Sequence, residues 1–142
     1  MRRIAILNMA IGFLLVFVAA CGGVFVALNS TEAHLQGAQI PTWRLLLQAS
    51  SHGHTNLFGV IHVLVGLTMS YCRSSFFLDK LKTAGLLAGS IAMGPLLLFR
   101  AASGPSVSND SLGIVIGTCL VLALTAILAH MLGLFSRLIE RQ

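Results

Sequence analysis

Three histidines, His52, His54 and His62, fall within the stretch SHGHTNLFGVIHVLVGLTM (residues 51–69), whose remaining residues read as a membrane-spanning helix. Imidazole ligates transition metals and carries protons near neutral pH. Ionisable side chains are costly at membrane depth, so three in one such segment point to a functional site. Two residues on an α-helix are separated by about 200° of rotation, which sends His52 and His54 to nearly opposite faces. They do not chelate one ion together, since a metal site on a helix uses positions i and i+4. The spacing suits one ligand offered to each of two partners, one on either side of the helix.

The elements that must hold these residues are apolar. The 142 residues are 56% hydrophobic and 9% charged, with a mean hydropathy of +0.91, which excludes a soluble globular domain. Four stretches, about 4–28, 45–71, 83–99 and 112–135, are long enough to cross a bilayer. The predicted fold is all-α, an integral membrane four-helix bundle forming one domain over residues 1–142. Of the nine basic residues, Arg2, Arg3, Arg73, Lys80, Lys82, Arg137 and Arg141 fall on one side of this topology, and Arg44 and Arg100 on the other. That bias predicts both termini in the cytoplasm, with the bacterial inner membrane as the expected location. The net charge of +5 follows from topology and does not call for a nucleic-acid partner.

Residues 29–41, which hold His34, and residues 73–82 read as loops on opposite sides. The start MRR, the apolar run and VAAC resemble a lipoprotein signal ending at Cys21, but apolar residues continue to Leu28 and favour a retained first helix. Pro41 and Thr42 mark the start of the second helix, with Thr42 as its cap. From Thr42 to Cys72 are 31 residues, about 46 Å of helix against a hydrocarbon core of about 30 Å. Either the helix tilts and protrudes, or it breaks near Ser50. Gly85 with Gly89, and Gly113 with Gly117, are small-residue pairs that allow close helix approach. Cys21, Cys72 and Cys119 lack the spacing of a disulfide or zinc framework. The four carboxylates, Glu32, Asp79, Asp110 and Glu140, are expected in loops or tails, which disfavours hydrolytic or transferase chemistry. No inverted repeat suggests a transporter.

HGHTNLFG followed by apolar helix resembles the haem-ligating tenth helix of nitric oxide reductase large subunits and, more loosely, that of the haem–copper oxidase superfamily. The resemblance covers residues 51–69. It implies His52 and His54 as haem-iron ligands on a helix running from outside inward. Catalytic subunits of that family have twelve helices in three four-helix arcs, so this chain resembles one arc, and its missing ligands are expected from another copy or another subunit. Oligomerisation, threefold by analogy, is an expectation.

Further residues fit a haem b. Gly53, Gly59 and Gly66 leave room beside the second helix for a macrocycle or for tight helix packing. Arg44 and Arg100 suit its propionates or simple interfacial anchoring. Thr55 and Asn56 can orient a ligating imidazole or join helices. His62 and His130 lie about 15 and 10 Å from the inner ends of their helices at 1.5 Å per residue, so a bis-histidine haem b between the second and fourth helices is open to them. Met69 and Met93 are weaker axial candidates. Each histidine can instead be structural.

Three functions follow. The first is a haem-b membrane protein acting in electron transfer or diatomic-gas chemistry with an unidentified redox partner. The second is an accessory or assembly subunit of a larger membrane complex. The third is a copper- or zinc-handling protein using His34, His52 and His54.

Overall fold

The computed structural model describes residues 3–72, 74–104 and 110–139. Among these residues the chain forms four helices and no strand: α1 (Arg3–Leu35), α2 (Thr42–Thr68), α3 (Phe76–Ser103, interrupted by a π turn at Ala92–Leu96) and α4 (Ser111–Ile139). α1, α3 and α4 are long and apolar enough to cross a membrane, as expected of a membrane protein. The expected crossing stretch over residues 45–71 is not among them: α2, which carries the histidines, is more polar and packs against both α1 and α3.

Three element boundaries differ from the sequence expectation, each for a local reason. α1 continues past residue 28 to Leu35 and places His34 in its last turn rather than in a loop. It stops where Gly37 takes a positive φ of 73°. There the Gly37 amide donates to the His34 carbonyl at 3.0 Å and the Ala38 amide to the Ala33 carbonyl at 2.9 Å, the paired bonds of a Schellman cap. α2 is one unbroken helix from Thr42, with Pro41 rather than Thr42 in the capping position. α3 begins at Phe76, so most of the expected loop over 73–82 is helical. Ser75 caps it, its hydroxyl accepting from the Leu78 amide at 3.2 Å, and Asp79 in the first turn faces the positive end of the helix dipole.

Packing follows the small residues. α1 and α2 run antiparallel with their backbones nearly touching. A Cβ on Gly12 would lie 2.5 Å from the Gly59 carbonyl, and one on Gly66 would lie 2.7 Å from that of Ala5. α3 and α4 form a second antiparallel pair in which Gly85 meets the Leu122 carbonyl and Gly89 meets Ala123. The two pairs join along α2 and α3, mostly through the part of α3 at and beyond the π turn. There Pro95 interrupts the helical hydrogen bonds, and Ser51 Oγ of α2 donates to the Gly94 carbonyl at 2.8 Å. Ile4, Ala5, Val65, Met69, Leu86 and Ala126 make a small apolar core toward the end that carries Arg3 and Ile139.

Candidate functional site

Small residues on α1 bring a backbone carbonyl within reach of His52. The ring lies over Gly23, where a Cβ would come within 2.5 Å of it, and Nδ1–H donates to the Ala19 carbonyl at 2.9 Å. A carbonyl only accepts, so the neutral ring keeps its lone pair on Nε2. His54 reaches the same state by another route. Its Nδ1–H donates to the Ser50 carbonyl one turn earlier at 2.8 Å, with Ser50 Oγ 3.2 Å away. Both histidines are half-buried; His52 bonds the neighbouring helix α1, whereas His54 bonds its own helix one turn back.

His52 also lines a groove between α1 and α3 that is floored by α2, with a volume of about 340 Å³. That volume lies in the range of ligand sites, and such sites are mainly apolar with few polar groups. Here the apolar walls include Leu15, Val18 and Leu98, and the polar groups are Gln48, Ser51, His52, Thr55 and Ser90. Ser51, Thr55 and Ser90 donate their hydroxyl protons to backbone carbonyls of Gly94, Ser51 and Leu86. The π turn, a distortion common at functional positions, contributes Gly94 and Pro95 to the wall.

His62 is fully enclosed, at 0% exposure, beside an equally buried Asn8 of α1. Asn8 Nδ2 donates to the Ile4 carbonyl at 3.0 Å and to Thr83 Oγ1 at 2.8 Å. Its Oδ1 therefore faces His62 and accepts from Nδ1–H at 2.9 Å. His62 Nε2 is left without a hydrogen-bond partner. Thr83 passes the chain on, its hydroxyl donating to the Asp79 carbonyl at 2.8 Å. Nothing local in the sequence marks Asn8 as a partner for His62; the visible signal is an amide in an apolar run.

His130 is bonded differently. Thr68 Oγ1 donates to the Leu64 carbonyl at 2.6 Å and accepts from His130 Nε2–H at 2.8 Å. Cys72 Sγ sits 3.5 Å from Nδ1 and 3.7 Å from Nε2. His130 thus commits the nitrogen that His52, His54 and His62 leave free. His62 and His130 do not meet: one turns to α1, the other to the end of α2.

The other expected residues are spread out. Arg100 pairs with Asp110 across the loop between α3 and α4, while Arg44 is exposed. Among the described residues no hydrogen bond joins Asn56 or Thr55 to a histidine; Thr55 bonds the Ser51 carbonyl. Met69 is a core residue at 0% exposure, and Met93 is half-buried. Gly59 and Gly66 serve the α1–α2 approach, and Gly53 meets nothing within 4 Å. His34 is exposed. No group of three His, Cys, Asp or Glu side chains that could hold a metal ion occurs among the described residues.

One cluster is absent from the sequence expectation. Asp79 and Lys82, placed in a solvated loop by their charge, are both buried in the first two turns of α3 and pair at 2.8 Å. Lys82 Nζ donates to Ser74 Oγ at 3.1 Å, and Ser74 Oγ donates to the Asp79 carboxylate. A buried carboxylate with a basic partner therefore exists in this chain.

No protein-family model, curated protein or solved structure matches the chain.

Proposed function

We propose that the chain is a haem-b-binding subunit of a bacterial inner-membrane assembly, a four-helix membrane bundle with both termini cytoplasmic, in which His52 and His54 supply axial ligands. The carrying observation is their shared bonding state. In each, Nδ1–H is anchored on a backbone carbonyl and Nε2 keeps its lone pair, the arrangement in which a second hydrogen bond fixes the tautomer and orientation of a metal-bound imidazole.

The residues present fit such a group. The groove beside His52 is apolar, and Gly22 and Gly94 add no bulk to its wall. Arg44 is exposed near the start of α2 and suits a propionate; Arg100 already has an acidic partner. When bound, haem iron supplies one-electron or diatomic-gas chemistry. The chain's own task is to hold the imidazoles in one tautomer and to keep the site apolar. Each side of α2 offers one ligand, so the opposing ligands come from a second copy or another subunit.

The test is a reduced-minus-oxidised spectrum with pyridine haemochrome quantification on protein from haem-replete cells. Wild type is expected to show a Soret band with sharp α and β bands, and His52→Ala and His54→Ala to lose or shift them. Colourless wild-type protein overturns the reading.

A second reading is favoured by a separate observation. Gly22, Gly53 and Gly117 meet nothing within 4 Å, which leaves small-residue surfaces on α1, α2 and α4 suited to helices of a partner. An accessory subunit is distinguished by co-purification with a larger complex whose haem spectrum survives His52→Ala and His54→Ala.

A further inference from the structure

His52 and His54 are held by different means, and one glycine of α1 makes the difference. His54 is anchored within its own helix, its Nδ1–H donating to the Ser50 carbonyl one turn back. His52 is anchored across a helix contact, on the Ala19 carbonyl of α1 at 2.9 Å. Ala19 lies one turn before Gly23, and the imidazole covers the Gly23 backbone. An added Cβ at Gly23 would stand 2.5 Å from Cε1, 2.9 Å from Nδ1 and 3.0 Å from Nε2 of His52. Those three atoms form the edge of the ring that carries both nitrogens.

Ordinary contact with a Cβ begins at 3.4 Å, so a ring atom met at 2.5 Å has to retreat. A methyl group on Gly23 pushes the ring off α1, and Ala19 is on α1. The bond from Nδ1–H is lost in that movement, because N–H···O bonds rarely exceed about 3.2 Å. Nothing then keeps the ring proton on Nδ1. Gly23 differs in this from the glycines of the helix crossing: Gly12, Gly59 and Gly66 each face backbone atoms of the other helix, whereas Gly23 faces only the end of one side chain. The side chain can yield while the two backbones keep their packing. His54 has no contact of this kind, and its anchor moves with α2 itself.

We infer that Gly23 is a positioning residue: its missing side chain lets α1 hold His52 as the Nδ1–H tautomer, with the Nε2 lone pair kept for the groove that His52 lines. The ligand position at His52 is a joint product of α1 and α2, and that at His54 a product of α2 alone. The bearing on ligation rests on the haem-b reading above; the hold on the tautomer does not. Ligation forms one N–Fe dative bond at Nε2 and releases no proton, because the neutral ring already carries its proton on Nδ1.

The test is ¹⁵N NMR of histidine-labelled protein in nanodiscs, first without haem and then during a titration with ferric haem b. His52→Gln and His54→Gln identify the two sets of signals, and helical circular dichroism checks that each variant is folded. Wild type is expected to show both rings protonated on Nδ1. Gly23→Ala is expected to turn His52 into a mixture of tautomers and to leave His54 as it was. Gly117→Ala, which adds the same methyl group where nothing lies within 4 Å, is expected to match wild type. With haem, Gly23→Ala is expected to weaken binding at His52 about 10–100-fold, the usual effect of losing the group that orients a ligating imidazole, and to spare His54. A His52 tautomer indifferent to Gly23→Ala, or one that changes together with His54, overturns the positioning role. A changed tautomer with unchanged haem binding at His52 overturns the bearing on ligation while the hold on the tautomer stands. Haem that disturbs neither histidine of the wild type overturns the haem-b reading and leaves the tautomers to decide the role of Gly23.

Discussion

Lys82 Nζ and the Asp79 carboxylate lie 2.8 Å apart with side-chain exposures of 1% and 0%. An ion pair this enclosed contributes through its partners, because removing one charge leaves the other uncompensated in a low-dielectric interior. Lys82→Met and Asp79→Leu are each expected to destabilise the protein by about 3–5 kcal/mol. The double variant is expected to recover most of that loss. Thermal unfolding in detergent checks both; singles that add without recovery in the double would show that the two charges act separately.

The α1–α2 contact tolerates no side chain at its crossing. Gly59→Leu drives carbon into Val16 and the Gly12 backbone, which a Cβ alone would approach within 2.9 Å. Overpacking of this kind costs about 1–3 kcal/mol. Gly117→Ala, where nothing lies within 4 Å, is expected to leave the isolated chain unchanged. A melting temperature lowered by Gly59→Leu and indifferent to Gly117→Ala supports the arrangement.

Ser51→Ala removes the donor to the Gly94 carbonyl. That carbonyl sits in the π turn beside Pro95, at the junction of the two helix pairs. The expected loss is about 1–3 kcal/mol, with Ser51→Thr retaining most of the stability. Equal stability of wild type and Ser51→Ala would mean that the bond adds nothing.

Arg100 and Asp110 form a more exposed pair, at 20% and 28% side-chain exposure. Solvent screens such a contact, so Arg100→Gln is expected to cost about 1 kcal/mol or less. A larger fall in unfolding temperature than that produced by Ser51→Ala would reverse this ranking.

The apolar runs announce all four helices, of which α1, α3 and α4 are long and apolar enough to cross a membrane. The start of α3 was hidden because Asp79, Lys80 and Lys82 read as solvated, whereas the Ser75 cap and mutual pairing of Asp79 with Lys82 carry the helix through them. The end of α1 was hidden by polar residues from Asn29 onward, although Gly37 supplied the stop. The partners of the histidines were the least legible part. Ala19 serves His52 through its backbone, which no side chain advertises, and Asn8 serves His62 from 54 positions away.

The length of α1 bears on how the protein meets its surroundings. Its 33 residues make a rod of about 50 Å, against a hydrocarbon layer of about 30 Å. With α1 upright across a bilayer, the surplus at the end carrying Glu32, His34 and the Gly37 turn would extend beyond the hydrocarbon as a short post. The exposed tip of that post is where an inserted epitope or a protease would first reach the chain, and it gives a handle for reading the protein's orientation in the membrane without touching the histidines of α2.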